Sequence, residues 1–223
     1  MNIAIIVAMR KELELLLPLL KDKQETVIDG FTFYQGAMGR HQVVAMQCGI
    51  GKVNAAMGAL TIINHFAPNK VINTGVAGGA DKSVSVMDIV VGQQVAYHDV
   101  WCGPESPWGV VQGLPLYYEG DAELLASLPK RDDIKAGLIC SGDQFVDTIE
   151  KVNEIKAKFP LALAVDMESG AIAQVCHVRG VSFLSLRVIS DSPGASHNNT
   201  QQYNDFWADA PQHTFEIIQQ LLQ

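Results

Sequence analysis

Three observations predict an α/β fold with a mixed sheet covered by helices on both faces. Runs of strand type alternate with runs of helical period along the chain. The first run, Asn2–Ala8, is apolar at nearly every position, as a strand buried on both faces must be. The stretch before Gly49 is rich in strand-type residues and contains neighbouring runs that read as a hairpin, so the sheet is not purely parallel.

The elements follow in order. After Asn2–Ala8, Arg10–Leu20 reads as a helix with Leu13, Leu16, Leu17 and Leu20 on one face. Phe31–Met38 and Gln42–Cys48 form the predicted hairpin, turned at Gly39-Arg40. Gly49-Ile50-Gly51 interrupts the pattern and Val53–Phe66 resumes it as a helix. Lys70–Thr74 is a strand running into the glycine turn Gly75–Gly79, and Asp88–Tyr97 is another strand. His98–Leu114, rich in Gly, Pro and Trp, is a long loop. Asp121–Leu128 is helical, Lys135–Cys140 a strand ending in Ser141-Gly142-Asp143, and Thr148–Phe159 and Met167–Arg179 are helices. Val181–Ile189 is the last strand, ending at Ser190-Asp191. The tail from about Thr200 is helical, with Pro211 a start or kink.

At 223 residues the chain suits one α/β domain spanning residues 1–223. Its 48% apolar and 18% charged residues are ordinary for a packed protein. A net charge of −8 argues against a nucleic-acid partner, which a basic face would serve. No segment approaches the roughly 20 apolar residues of a membrane helix, and no basic leader or cleavage site marks a signal peptide. The four cysteines, Cys48, Cys102, Cys140 and Cys176, include no Cys-x-x-Cys pair and read as buried free thiols of a reducing cytoplasm. Cys176-His177 and His98-Asp99 with Cys102 are the sole groupings with any metal character. Neither forms a ligand cluster, so neither metal nor cofactor is expected.

In covered α/β sheets, ligands bind at the carboxyl ends of strands. That rule selects Ala8-Met9 with Glu12 a turn later, the Gly75–Gly79 turn, Ser141–Phe145, the helix start at Asp166-Met167-Glu168, and Ser190-Asp191. Glu12, Glu168 and Asp191 therefore converge on one rim. Simpler readings stand beside this one. Glu12, Asp166 and Glu168 can be first-turn acids favoured by the helix dipole, and Asp191 can cap a turn before Pro193. Gly49-x-Gly51-Lys52 before a helix can hold a phosphate or simply turn the chain, and fits no established phosphate-loop pattern.

Seven motifs occur in this order: Ala8-Met9-x-x-Glu12, Cys48-Gly49-Ile50-Gly51-Lys52, Asn73-Thr74-Gly75-x-Ala77-Gly78-Gly79, Tyr97-His98-Asp99, Ser141-Gly142-Asp143-x-Phe145, Asp166-Met167-Glu168 and Arg187-x-Ile189-Ser190-Asp191. Together they resemble the bacterial 5′-methylthioadenosine/S-adenosylhomocysteine nucleosidases of the purine nucleoside phosphorylase superfamily, over nearly the whole chain. The resemblance implies a three-layer αβα sandwich around a central mixed twisted sheet, paired as a homodimer. It implies that Asp191 protonates the purine at N7 and that Glu12 activates the attacking water, with Arg187 nearby. Glu168 would bind the ribose hydroxyls with Met167 under the sugar. Phe145 would stack on adenine, the Val146 backbone would read its edge, and Tyr203 would cover the 5′ substituent. Met9, Ile50 and Val76 complete the implied substrate-binding set. The partners implied are a nucleoside and water.

Two departures bear on the reaction. The family usually has serine where this chain has Val76, and no arginine cluster follows the first strand beyond Arg10. Both favour water over phosphate as nucleophile. The loop Trp101–Trp108 also differs from the common form. Its tryptophans either line a 5′-tail pocket, across a dimer interface, or pack as a surface loop. The alternatives to methylthioadenosine and adenosylhomocysteine hydrolysis are a futalosine or 5′-deoxyadenosine hydrolase, a phosphorylase, and a nucleoside-binding module without turnover.

Overall fold

The computed structural model describes residues 1–192, 199–209 and 215–222. Ten strands, β1 (Asn2–Val7), β2 (Lys21–Ile28), β3 (Phe31–Met38), β4 (His41–Gln47), β5 (Lys70–Gly79), β6 (Ile89–Tyr97), β7 (Tyr118–Glu119), β8 (Ile134–Ser141), β9 (Ala162–Asp166) and β10 (Ser182–Asp191), form one mixed sheet. The helices are α1 (Arg10–Leu16), α2 (Lys52–Phe66), α3 (Ala122–Ala126), α4 (Ile149–Lys158), α5 (Ser169–Arg179), α6 (Asn199–Asp209) and α7 (Glu216–Leu221). The Pro211 boundary lies outside the described residues.

β1 runs parallel between β4 and β5, which is why all its positions after Asn2 are apolar and buried. The β3–β4 hairpin turns at Gly39-Arg40, with Met38 paired to His41. From β5 the sheet curls. β5 pairs with β10, β10 with β6, β6 with β8, β8 with β9, and β9 again with β5, so that these strands close on themselves while β1, β4, β3 and β2 extend as a wing. Residues of α2 and α5 pack with one face of the sheet in one apolar cluster. Residues of α1, α3, α6 and α7 share a second cluster with the other face, which gives three layers.

Several elements depart from expectation. The Arg10–Leu20 helix ends at Leu16, and Leu17–Leu19 form a 3-10 turn, because Pro18 lacks an N–H and its ring opposes the preceding turn. The Gly75–Gly79 segment is not a turn but the second half of β5, held in register by β10 and β9. α5 begins at Ser169, leaving Asp166 in β9 and Glu168 at the cap position. β2 and β9 were not anticipated. Of the thiols, Cys48, Cys140 and Cys176 are buried, while Cys102 is exposed. Among the described residues, no helix is long and apolar enough to cross a membrane.

Candidate active site

The carboxyl ends of β1, β5, β9 and β10 meet at one cavity. Glu12, three residues into α1 from its cap at Met9, turns inward and is 1% exposed. Its carboxylate accepts the backbone N–H groups of Ala8 (3.0 Å) and Met9 (2.8 Å), as a first-turn acid does. It also accepts the Val76 N–H of β5 at 3.1 Å, so the same side chain caps its own helix and bridges two strands. Burial raises its pKa above the usual carboxylate value, against the opposing charge of Arg187 and the three N–H groups.

Gly75 makes this placement possible. A Cβ there would stand 2.5 Å from Glu12 Oε1 and 2.8 Å from Arg187 Nη1, inside van der Waals contact with both. Any side chain at 75 would push the carboxylate and the guanidinium out of place.

Arg187, on β10, is the largest fully buried side chain. Its Nη2 ion-pairs with Asp166 (2.6 Å), reaches Glu168 Oε2 (3.5 Å) and donates to Asn73 Oδ1 (2.5 Å). Ser169 Oγ completes this network, hydrogen-bonding to Asp166 Oδ2 and lying 2.7 Å from Ser185 Oγ. A single buried cation therefore faces the carboxyls of Glu12, Asp166 and Glu168. Burial, opposed by Arg187 and assisted by Asp166, pushes Glu168 up to about 7. Glu168 Oε1 accepts the Gly51 N–H at 3.0 Å, which ties the glycine turn after β4 to the cavity. That turn is held again at Lys52, whose N–H donates to Asp143 (2.7 Å) and whose ammonium pairs with Asp99 (2.8 Å). Its polar groups are thus occupied by protein carboxylates.

Asp191 ends β10 in the lining of the same cavity and is 2% exposed, with Ser190 Oγ 2.6 Å from its Oδ1. The upper walls are apolar. Phe145 and Val146 come from the loop after β8, Met9 and Ile50 from the turns after β1 and β4, Met167 from the link into α5, and Tyr203 from α6. Phe145 and Tyr203 meet edge to face across the cavity, with centroids 5.9 Å apart.

Every residue singled out from the sequence, Glu12, Asp191, Met9, Ile50, Val76, Phe145, Val146, Met167, Glu168 and Tyr203, lines this one cavity, with Arg187 directly behind it. Val76 contributes mainly through its backbone, whose N–H serves Glu12 and whose carbonyl lies 3.5 Å from Arg187 Nη1. Trp101 and Trp108 do not line the cavity of their own chain. They stack on each other (6.0 Å, 16°), and Trp108 donates to the His98 carbonyl. Sequence reasoning missed the support of Arg187. Asn73 in β5 and Ser185 in β10 are polar residues buried within largely apolar strands, and Ser169 directly follows Glu168. A polar residue buried in a central strand is the signal that could have found them.

A family model, the phosphorylase superfamily, matches residues 2–223. A 5′-methylthioadenosine/S-adenosylhomocysteine nucleosidase of Anoxybacillus flavithermus is 38% identical, over 98% of this chain and 97% of that protein. The chain belongs to the methylthioadenosine/adenosylhomocysteine nucleosidases of the phosphorylase superfamily. Among solved structures, a nucleosidase of this name from S. pneumoniae, bound to the transition-state inhibitor MT-ImmA, superposes with a TM-score of 0.92 at 36% identity, over 100% of this chain and 98% of that one. A futalosine hydrolase mutant from Helicobacter pylori superposes nearly as well, with a TM-score of 0.90, but at 28% identity over 99% and 98%. The nucleosidase family thus shares the fold with a hydrolase of another nucleoside, and sequence similarity favours the former.

Proposed function

We infer that the protein hydrolyses the N-glycosidic bond of 5′-methylthioadenosine and S-adenosylhomocysteine, releasing adenine and the 5′-modified ribose. The observation that carries this reading is the presence of two buried carboxyls, Glu12 and Asp191, in the lining of one cavity with aromatic walls. An N-glycosidic bond breaks through an oxocarbenium-like state, and a purine leaves well only once protonated. In this reading Asp191 supplies that proton at N7. Glu12, held by three N–H groups beside Arg187, takes a proton from water as its oxygen attacks C1′ and the C1′–N9 bond breaks. A pKa raised by burial makes Glu12 a stronger proton acceptor than an exposed glutamate. Glu168 receives the ribose hydroxyls over Met167, and Phe145 stacks on the base while the Val146 backbone reads its edge. Tyr203 covers the 5′ substituent.

Water is favoured over phosphate by the charge of the floor. A dianion there would meet Glu12, Asp166 and Glu168, while Arg187 is already paired and Arg10 is exposed and bonded to Glu14. A homodimer is supported by α2, whose Val53, Met57 and Leu60 present an exposed apolar face at helical spacing next to Ile50. The buried free thiols fit the reducing cytoplasm.

The test is base release. Purified protein should liberate free adenine from methylthioadenosine in phosphate-free buffer; adenine that appears only on adding phosphate would refute hydrolysis. Futalosine, assayed in parallel, should be the poorer substrate.

A further inference from the structure

α1 begins with two cations, and they behave differently. Arg10 points to solvent and pairs with Glu14 at 2.8 Å. Lys11 occupies the next position, where the positive end of the helix dipole disfavours a cation. Among the described residues, no carboxylate lies within ion-pair distance of its ammonium. Instead Lys11 Nζ sits 3.9 Å from the centroid of the Trp207 ring and 4.9 Å from that of Tyr203. Both aromatics are on α6, and Tyr203 and Trp207 are themselves in edge contact at 6.2 Å. Burial against these rings lowers the lysine pKa from its ordinary value, with the Glu12 charge opposing that shift.

Besides the burial of Phe206 in the second apolar cluster and the Phe145–Tyr203 edge contact, α6 is attached by two hydrogen bonds. The Tyr203 hydroxyl donates to Met9 Sδ at 3.4 Å, and the Ser192 N–H donates to Gln202 Oε1 at 3.1 Å. Neither is strong: a thioether is a weak acceptor, and a single neutral hydrogen bond contributes little net once its exchange with water is counted. A cation lodged against two rings adds a contact that engages α6 at two successive turns.

We propose that Lys11 is a positioning residue for the reaction, its ammonium fastening the Tyr203 and Trp207 rings of α6 over the cavity from the same helix turn that carries Glu12. The proposal rests on the functional reading above insofar as Tyr203 covers substrate. It accounts for a lysine at a position where it weakens its own helix: the local cost is offset by the interaction between elements. It also makes the catalytic turn and the lid helix one mechanical unit, since Met9, Lys11 and Glu12 each contact a different part of the site.

Three variants test it. Lys11→Met keeps the side-chain length and removes the charge; Lys11→Arg keeps a cation suited to aromatic faces; Trp207→Leu removes the principal ring. Lys11→Met should raise KM for methylthioadenosine by about 3- to 10-fold, with kcat changed by less than about twofold, and Lys11→Arg should restore KM. Trp207→Leu should raise KM similarly, and the double variant no further, because both remove one interaction. In the ligand-free protein, backbone amides of 199–209 should exchange hydrogen faster in Lys11→Met and at the wild-type rate in Lys11→Arg, with Tm not lowered in either. Unchanged exchange in Lys11→Met, or additive KM effects in the double variant, would overturn the proposal. Wild-type protein that releases no adenine would count instead against the functional reading, and the exchange comparison would still decide whether Lys11 fastens α6.

Discussion

The floor and the rim of the cavity are built by opposite means. The floor is charged and buried: Asp166 ends β9, Arg187 lies within β10, and Glu12 and Glu168 stand at the starts of α1 and α5, with backbone N–H groups, serines and an asparagine among their partners. The rim is aromatic and half open, drawn from loops and from α6, with Phe145 47% exposed and touching Tyr203 only edge to face. Charges need fixed partners, because an unpaired ion in a dry site is costly, and strands supply that rigidity. Apolar contact with a substrate needs area and the freedom to admit it, which loops and a terminal helix supply. Chemistry is therefore written on the sheet and selectivity on its edges.

That contrast predicts that changes in the floor act on kcat and changes in the rim act on KM. The largest effect falls on the floor. Glu12→Gln keeps the shape but loses the proton acceptor, and should lower kcat about 10²- to 10⁴-fold with KM little altered, measured by adenine release. A variant that instead raised KM alone would move Glu12 to a binding role.

A smaller effect concerns the protons of the floor. Glu168 titrates near 7 when folded, against 4.5 for an unperturbed glutamate, because burial favours its neutral form. Between those values the folded chain binds the extra proton, so this group's contribution to stability is complete below about pH 4.5 and declines as pH rises through about 7. Glu168→Gln cannot titrate. The stability of wild type relative to this variant should therefore fall by up to a few kcal/mol from pH 4.5 to above pH 7, measured by denaturant titration. Parallel curves for the two proteins would contradict a Glu168 pKa raised by burial. The Lys11 fastening is the smallest of the three effects, and belongs to the rim.

The same contrast explains what could be read in the sequence. The apolar run of β1 and the strand ending at Asp191 announced the sheet, and the motifs carried the cavity-lining candidates except Val146 and Tyr203, which rested on the resemblance alone. β2 was invisible because KDKQETVI has no apolar face: it pairs only with β3 and is exposed along nearly its whole length. β9 was invisible because Ala162–Asp166 is short, and its place between β8 and β5 depends on the curl of the sheet. The glycine run after Thr74 looked like a turn. It is a strand because β10 and β9 pair with it, and residue 75 is glycine because Glu12 and Arg187 fill the space a side chain would need. Asn73, Ser169 and Ser185 carry no spacing signal at all, since what unites them is the Arg187 guanidinium, a meeting that exists only in three dimensions.

The division of labour between the two buried acids is tested most directly by Asp191→Asn, assayed for methylthioadenosine binding by calorimetry and for adenine release under single-turnover conditions. The amide keeps the shape and a hydrogen-bond donor but has no proton to transfer to N7. Binding within a few-fold of wild type with chemistry slowed by about 10²- to 10⁴-fold is the predicted result. Adenine release at the wild-type rate would show that another group protonates the base.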